Sequence, residues 1–170
     1  MHVLARIHVE ADARRSLPVW AWVALGGTAL GLGDLAFAAL YWFLHSSLAP
    51  IRIPQSIAGW VLGAADARAG GAATAFAGAA LYCAIVGAMV AGYLKLTAWR
   101  PALHAHVAFA GIVYGLAMYA LLFRIVLPVF AASSSHAAMP LSWTVACLAA
   151  YAGIGVGCAL IARMQAARDR

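Results

Sequence analysis

Four long apolar runs decide what this chain can fold into. They lie at Val19–Leu44, Ala72–Leu96, Val107–Phe130 and Leu141–Ile161. Each covers about 20 residues or more, the length a helix needs to cross a hydrocarbon layer of about 30 Å. No water reaches a backbone at that depth, so every N–H and C=O must be satisfied inside the segment, and helices do this. The expected fold is therefore all-α: an integral membrane four-helix bundle. Residues 1–18 read as a cytoplasmic N-terminal segment, 19–163 as the four-span transmembrane domain and 164–170 as a cytoplasmic tail. Only 9% of the residues are charged, against about 25% in a soluble domain, which is what lipid contact demands.

The net charge is +6, but the basic residues gather at the span ends. Arg6, Arg14 and Arg15 precede the first run, Lys95 and Arg100 separate the second from the third, and Arg163, Arg168 and Arg170 follow the fourth. The connection Ala131–Pro140 has no Lys or Arg, and Arg52 and Arg68 in the first connection are partly offset by Asp66. The positive-inside bias puts both termini in the cytoplasm. No basic stripe suited to nucleic acid is left over. The expected partners are the lipid bilayer and a second copy (a homodimer) or a partner membrane subunit.

Basic residues, an apolar run and Ala36-Phe37-Ala38 give the N-terminus some look of a signal peptide. The run is too long for the apolar core of one, about 7–15 residues, and it contains Asp34. An uncleaved first span is expected. Cys83, Cys147 and Cys158 all fall inside apolar runs, where they read as small buried residues rather than a disulfide framework. Residues 1–18 also carry helical spacing of Val3, Leu4, Ile7 and Ala11, so a short amphipathic helix and a frayed tail both remain open there.

The connection at Pro50–Arg68 is unusual. Beyond Pro54 the pattern is that of an amphipathic helix too short to span, interfacial or re-entrant, between the first and second spans. Gln55, Ser56, Gly59 and Gly63 fall on the face expected against the bundle. Ile57, Trp60, Val61 and Ala64 fall on the other, with Trp60 as an interfacial anchor. Small residues recur at four-residue spacing in every run: Gly27 and Gly31, Ala84 and Ala88, Gly111 and Gly115, Gly153 and Gly157. Such pairs allow close backbone approach, either within one bundle or between two copies.

Polar residues inside the runs are the candidate functional groups. Asp34 stands near the middle of the first run, where a carboxylate costs about 2.5–3.5 kcal/mol on insertion scales. It should face the bundle, be protonated or be paired. Arg124, in the third run at a similar depth, is the expected charged partner, in a structural or a functional site. Tyr41 and His45 follow on the same helical face, and Arg52 and Gln55 come soon after. These six residues, Asp34, Tyr41, His45, Arg52, Gln55 and Arg124, are the candidate polar intramembrane site. The bland alternative gives Tyr41, His45 and Arg52 to the headgroup boundary. His104 and His106, two residues apart, point to different faces of a helix and suit no metal. His136 has no acid to orient it. Pro128 should kink or end the third helix. Neither a cofactor nor a catalytic group is implied.

Several of these features occur together: the Gly31–Asp34 region, Arg52-Ile53-Pro54-Gln55-Ser56-Ile57-Ala58 with Gly63, Gly70-Gly71-Ala72-Ala73-Thr74-Ala75, Tyr114-Gly115 and Pro128. Over residues 25–132 the chain resembles a group of small four-helix bacterial inner-membrane proteins to which no activity is assigned. The resemblance implies a fold and a compartment, the bacterial inner membrane, and no chemistry.

Three functional readings follow. The first is binding or transport of a small solute, with proton coupling, at the intramembrane polar site. The second is a structural or accessory subunit acting through helix–helix contacts. The third, a membrane enzyme acting on lipid or haem, has least support, because the candidate residues form no acid–base or metal cluster. A single bundle without an internal repeat is unusual for a lone transporter, an objection that a dimer removes.

Overall fold

The computed structural model describes residues 17–131 and 140–168. They are helical, with no strand among them. The elements are α1 (Val19–Ser46), α2 (Arg52–Leu62), α3 (Ala64–Ala69), α4 (Gly71–Trp99), α5 (Val107–Phe130) and α6 (Leu141–Arg168), with a 3-10 turn at Pro101–Ala105 between α4 and α5. α1, α4, α5 and α6 are each long and apolar enough to cross a membrane. The possible N-terminal helix and the His136 loop lie outside the described residues. α6 runs unbroken past Arg163 to Arg168, so the residues after Ile161 extend the fourth helix.

Glycine contacts set the helix packing. α1 and α4 cross with Gly27 against Gly87 and Gly31 against Cys83, and a Cβ at Gly27 would stand 2.5 Å from the Gly87 Cα. α5 and α6 cross with Gly111 and Gly115 against Gly155 and Tyr151, and a Cβ at Gly115 would sit 1.9 Å from the Tyr151 carbonyl oxygen. The small-residue pairs of α1 and α5 are thus spent inside the bundle, where close backbones gain dispersion contact.

α6 stands between α1 and α5, touching both and also α4. The core lies along α4 and α6, around Val86, Val90, Tyr93 and Cys158, with Trp22 and Leu35 contributed by α1. α5 is peripheral. Only 11% of its most apolar stretch is buried, against 28–39% in the other three helices.

α2 lies chiefly against α4, with lesser contact to α1, and its roll differs from expectation. Gln55 and Gly59 are buried as the pattern suggests, but so are Ile57 and Ala58, while Ser56 is exposed. Trp60 is half-buried on the core rather than an outward anchor. The reason is Gly78 of α4. A Cβ there would stand 1.9 Å from the Pro54 carbonyl oxygen and 2.9 Å from the Ala58 nitrogen. The contact ridge is therefore the row of Pro54 and Ala58, which turns Ile57 inward. Ser56, left outside, returns its hydroxyl to the Ile53 carbonyl at 2.7 Å. Gly63 ends α2 at φ 85°, ψ 154°, a conformation open to glycine alone, and the chain turns there into α3.

α5 carries one defect. At Leu122–Val126 it widens into a π turn, with the Leu127 N–H reaching back to the Leu122 carbonyl. Pro128 follows directly. Its ring would clash with the carbonyl four residues earlier in a regular helix, and the widened turn relieves this. The helix resumes and ends at Phe130.

Candidate functional site

The α1–α4 crossing fixes the surroundings of Asp34. With Gly31 seated on Cys83, the next turn of α1 brings residue 34 level with Tyr82, and the Tyr82 hydroxyl donates to Oδ2 of Asp34. Tyr82 itself is buried, at 5% exposure. Tyr151 of α6, at 3% exposure, lies close enough that its hydroxyl interacts with both Tyr82 and Asp34. Asp34 thus meets tyrosines from two other helices at mid-span.

Asp34 does not pair with Arg124. Its hydrogen-bond partner among the described residues is Tyr82. Arg124 is exposed, on the part of α5 that carries Tyr119 one turn earlier. Equal depth was a sound count, but depth says nothing about azimuth. α6 separates α1 from α5, and Tyr151, with Tyr119 and Phe123 at ring distances of 5.4 and 5.8 Å, fills the space where a pair would have formed.

On its other side Asp34 borders an open groove of about 420 Å³ between α1 and α6. Gly33 and Phe37 line it from α1, and Ala149, Ala150 and Ile154 line it from α6. Apart from the carboxyl, these side chains are all apolar. A Cβ at Gly33 would meet nothing within 4 Å, so the groove owes part of its volume to that glycine. Phe37, three residues from Asp34 on the same side of the helix, is 42% exposed and lines the groove.

The other four expected residues form two separate local structures. Tyr41 and His45 stack at 4.1 Å and 11°. Trp143 packs on Tyr41 at 4.8 Å and on Trp42 at 5.2 Å, and the Tyr41 hydroxyl donates to Ser142 Oγ at 2.8 Å. Nδ1 of His45 lies 2.9 Å from the Tyr41 carbonyl. A carbonyl only accepts, so Nδ1 carries the proton and Nε2 remains for other partners. This cluster ties the end of α1 to the start of α6.

Arg52 and Gln55 form a clamp. The buried Gln55 amide donates to the Gly71 carbonyl at 2.9 Å, and the Arg52 guanidinium donates to Gln55 Oε1 at 3.1 Å. Together they fix α2 to the start of α4. The expected single cleft therefore resolves into an intramembrane carboxyl, an aromatic tie, a structural clamp and an exposed arginine.

Sequence reasoning missed Tyr82, Tyr151 and Phe37 as neighbours of Asp34. One signal was present. A tyrosine buried in an apolar span usually finds a partner for its hydroxyl, so Tyr82 and Tyr151 pointed to a polar acceptor on a neighbouring helix. Among the described residues no three His, Cys, Asp or Glu side chains converge as metal ligands would. Compared with protein-family models, curated proteins and solved structures, the chain finds no match.

Proposed function

We propose that this is an inner-membrane protein that binds and moves a small solute at Asp34, in linkage with a proton. One observation carries the reading: a mid-span carboxyl held by Tyr82, without a basic partner among the described residues, and bordering a groove. A carboxylate at that depth costs about 2.5–3.5 kcal/mol. A helix contact alone could be made by an apolar side chain of similar size at no such cost. An unpaired acid at mid-span can instead exchange a proton for a solute, and intramembrane acids of this kind mark substrate and proton paths.

Infrared difference spectroscopy on the full chain in lipid tests this without knowing the solute. A protonated-carboxyl band that comes and goes with pH, and is missing in Asp34→Asn, is the expected result. A carboxyl that keeps one protonation state at every pH overturns the reading.

The second reading, a subunit that docks a partner or a second copy, draws on α5. Phe109, Val113, Ile125 and Val129 expose more than half of their surface along this helix. Mass measurement in detergent tests it, with a species of more than one chain expected and a monomer counting against it.

A further inference from the structure

We propose that the solute taken up at Asp34 is a lipophilic organic cation that reaches the site sideways, from the bilayer, through the groove between α1 and α6. The proposal rests on the reading of Asp34 as a proton-linked site and names what replaces the proton.

The groove lies within the apolar length of α1 and α6 and opens to the side of the bundle. A solute arriving there comes through hydrocarbon and must be apolar over most of its surface. The walls agree, being alkyl and aromatic: Phe37, Ala149, Ala150 and Ile154. The volume, about 420 Å³, falls in the lower part of the range for small-molecule sites, about 300–1,000 Å³.

The charge of the solute follows from what lines the groove. Asp34 is the one ionisable group there, and no basic side chain among the described residues neutralises it. An anion would be repelled. A neutral solute would bind beside the protonated carboxyl and displace no proton, since an ionised carboxyl beside it would stay uncompensated in a medium of low dielectric. A monovalent cation removes that cost, as a proton does. Phe37, which lines the same groove as the carboxyl, adds a second preference, because an aromatic ring attracts a diffuse cation through its quadrupole. Proton and cation then compete for one carboxyl. The cation binds the carboxylate, and the proton that was there leaves to water. Tyr82 holds Oδ2 throughout.

Equilibrium dialysis of the purified full chain with tetraphenylphosphonium tests the proposal. Saturable binding is expected, with release of about one proton per cation bound in weakly buffered solution. Asp34→Asn should abolish the saturable binding. Gly33→Leu should weaken it by about tenfold or more by filling the groove. Since a Cβ at Gly33 meets nothing, this variant should fold and keep the Asp34 carboxyl band. Neutral triphenylphosphine oxide should not compete.

Binding that survives Asp34→Asn, or that the neutral compound displaces equally well, overturns the proposal, as does an absence of saturable binding by the wild-type chain. If Asp34 titrates in the infrared but no cation binds, this inference fails and the proton-linked site stands. If the carboxyl is silent to pH, both fall.

Discussion

The tyrosine hydroxyls of α4 differ in what they do. Tyr82 donates to Asp34 across a helix interface. Tyr93, at 1% exposure, has its hydroxyl buried with no hydrogen-bond partner among the described residues. Removing the first hydroxyl strands an acceptor; removing the second relieves a desolvated donor. Tyr82→Phe should therefore destabilise by about 1–2 kcal/mol, the upper part of the range for interhelical hydrogen bonds in bilayers. Tyr93→Phe should stabilise by up to about 1 kcal/mol. Unfolding in mixed micelles with increasing dodecyl sulfate measures both, and equal shifts of the same sign would contradict the assignment. At this scale the sequence was half legible. The cost of a carboxylate in hydrocarbon marked Asp34 as a residue that should face the bundle, be protonated or be paired. Its partner was not legible, because a span count gives depth but not the angular order of the helices. That order is set by glycine contacts made between residues far apart in the chain.

The helices themselves were legible because length and hydropathy alone specify a membrane span. The expected third run, Val107–Phe130, coincides with α5, and the others differ only at their ends. The roll of α2 was not legible. A helix that is small or polar on one side and apolar on the other can bury either in a membrane protein, and the choice fell to Gly78 on α4. Two substitutions with opposite consequences follow from the glycine geometry. Gly115→Leu drives a side chain into the Tyr151 carbonyl, where backbone cannot yield, and should cost about 3 kcal/mol or more, beyond ordinary overpacking. Gly33→Ala enters open space and removes a flexible residue from a helix, so it should be neutral or stabilising by up to about 1 kcal/mol. Gln55→Leu belongs to the same scale. It strips the Gly71 carbonyl and Arg52 of a shared partner and should loosen α2 by about 1–3 kcal/mol, read as faster proteolysis in the α1–α2 connection. Ser56→Ala, whose hydroxyl bonds only within its own turn, should leave that rate unchanged.

For the whole molecule, the orientation expected in a bilayer is read from charge. The 3-10 turn between α4 and α5 and the far end of α6 lie at one end of the bundle, and there the described basic residues are Lys95, Arg100, Arg163 and Arg168. Two aromatic rings hold part of this charge in place, with Lys95 over Trp99 at 5.6 Å and Arg168 over Trp22 at 5.2 Å. The opposite end, carrying α2 and α3, has Arg52 and Arg68 with Asp66 beside them, and Arg52 is engaged by Gln55. Translocating the first group would move four cations across the membrane; translocating the second, with Arg124 near the end of α5, moves three and one anion. The positive-inside bias therefore predicts that the Arg100 end stays cytoplasmic. A reporter fused after Arg170 should be active only in its cytoplasmic form, and one inserted near Ser134 only in its external form. Since the bias acts through the cations, replacing Lys95, Arg100, Arg163 and Arg168 together by Gln should produce a mixed orientation, with both reporters partly active. A four-fold variant that keeps a single orientation would show that something other than these charges, such as α2 docked on Gly78, sets the topology.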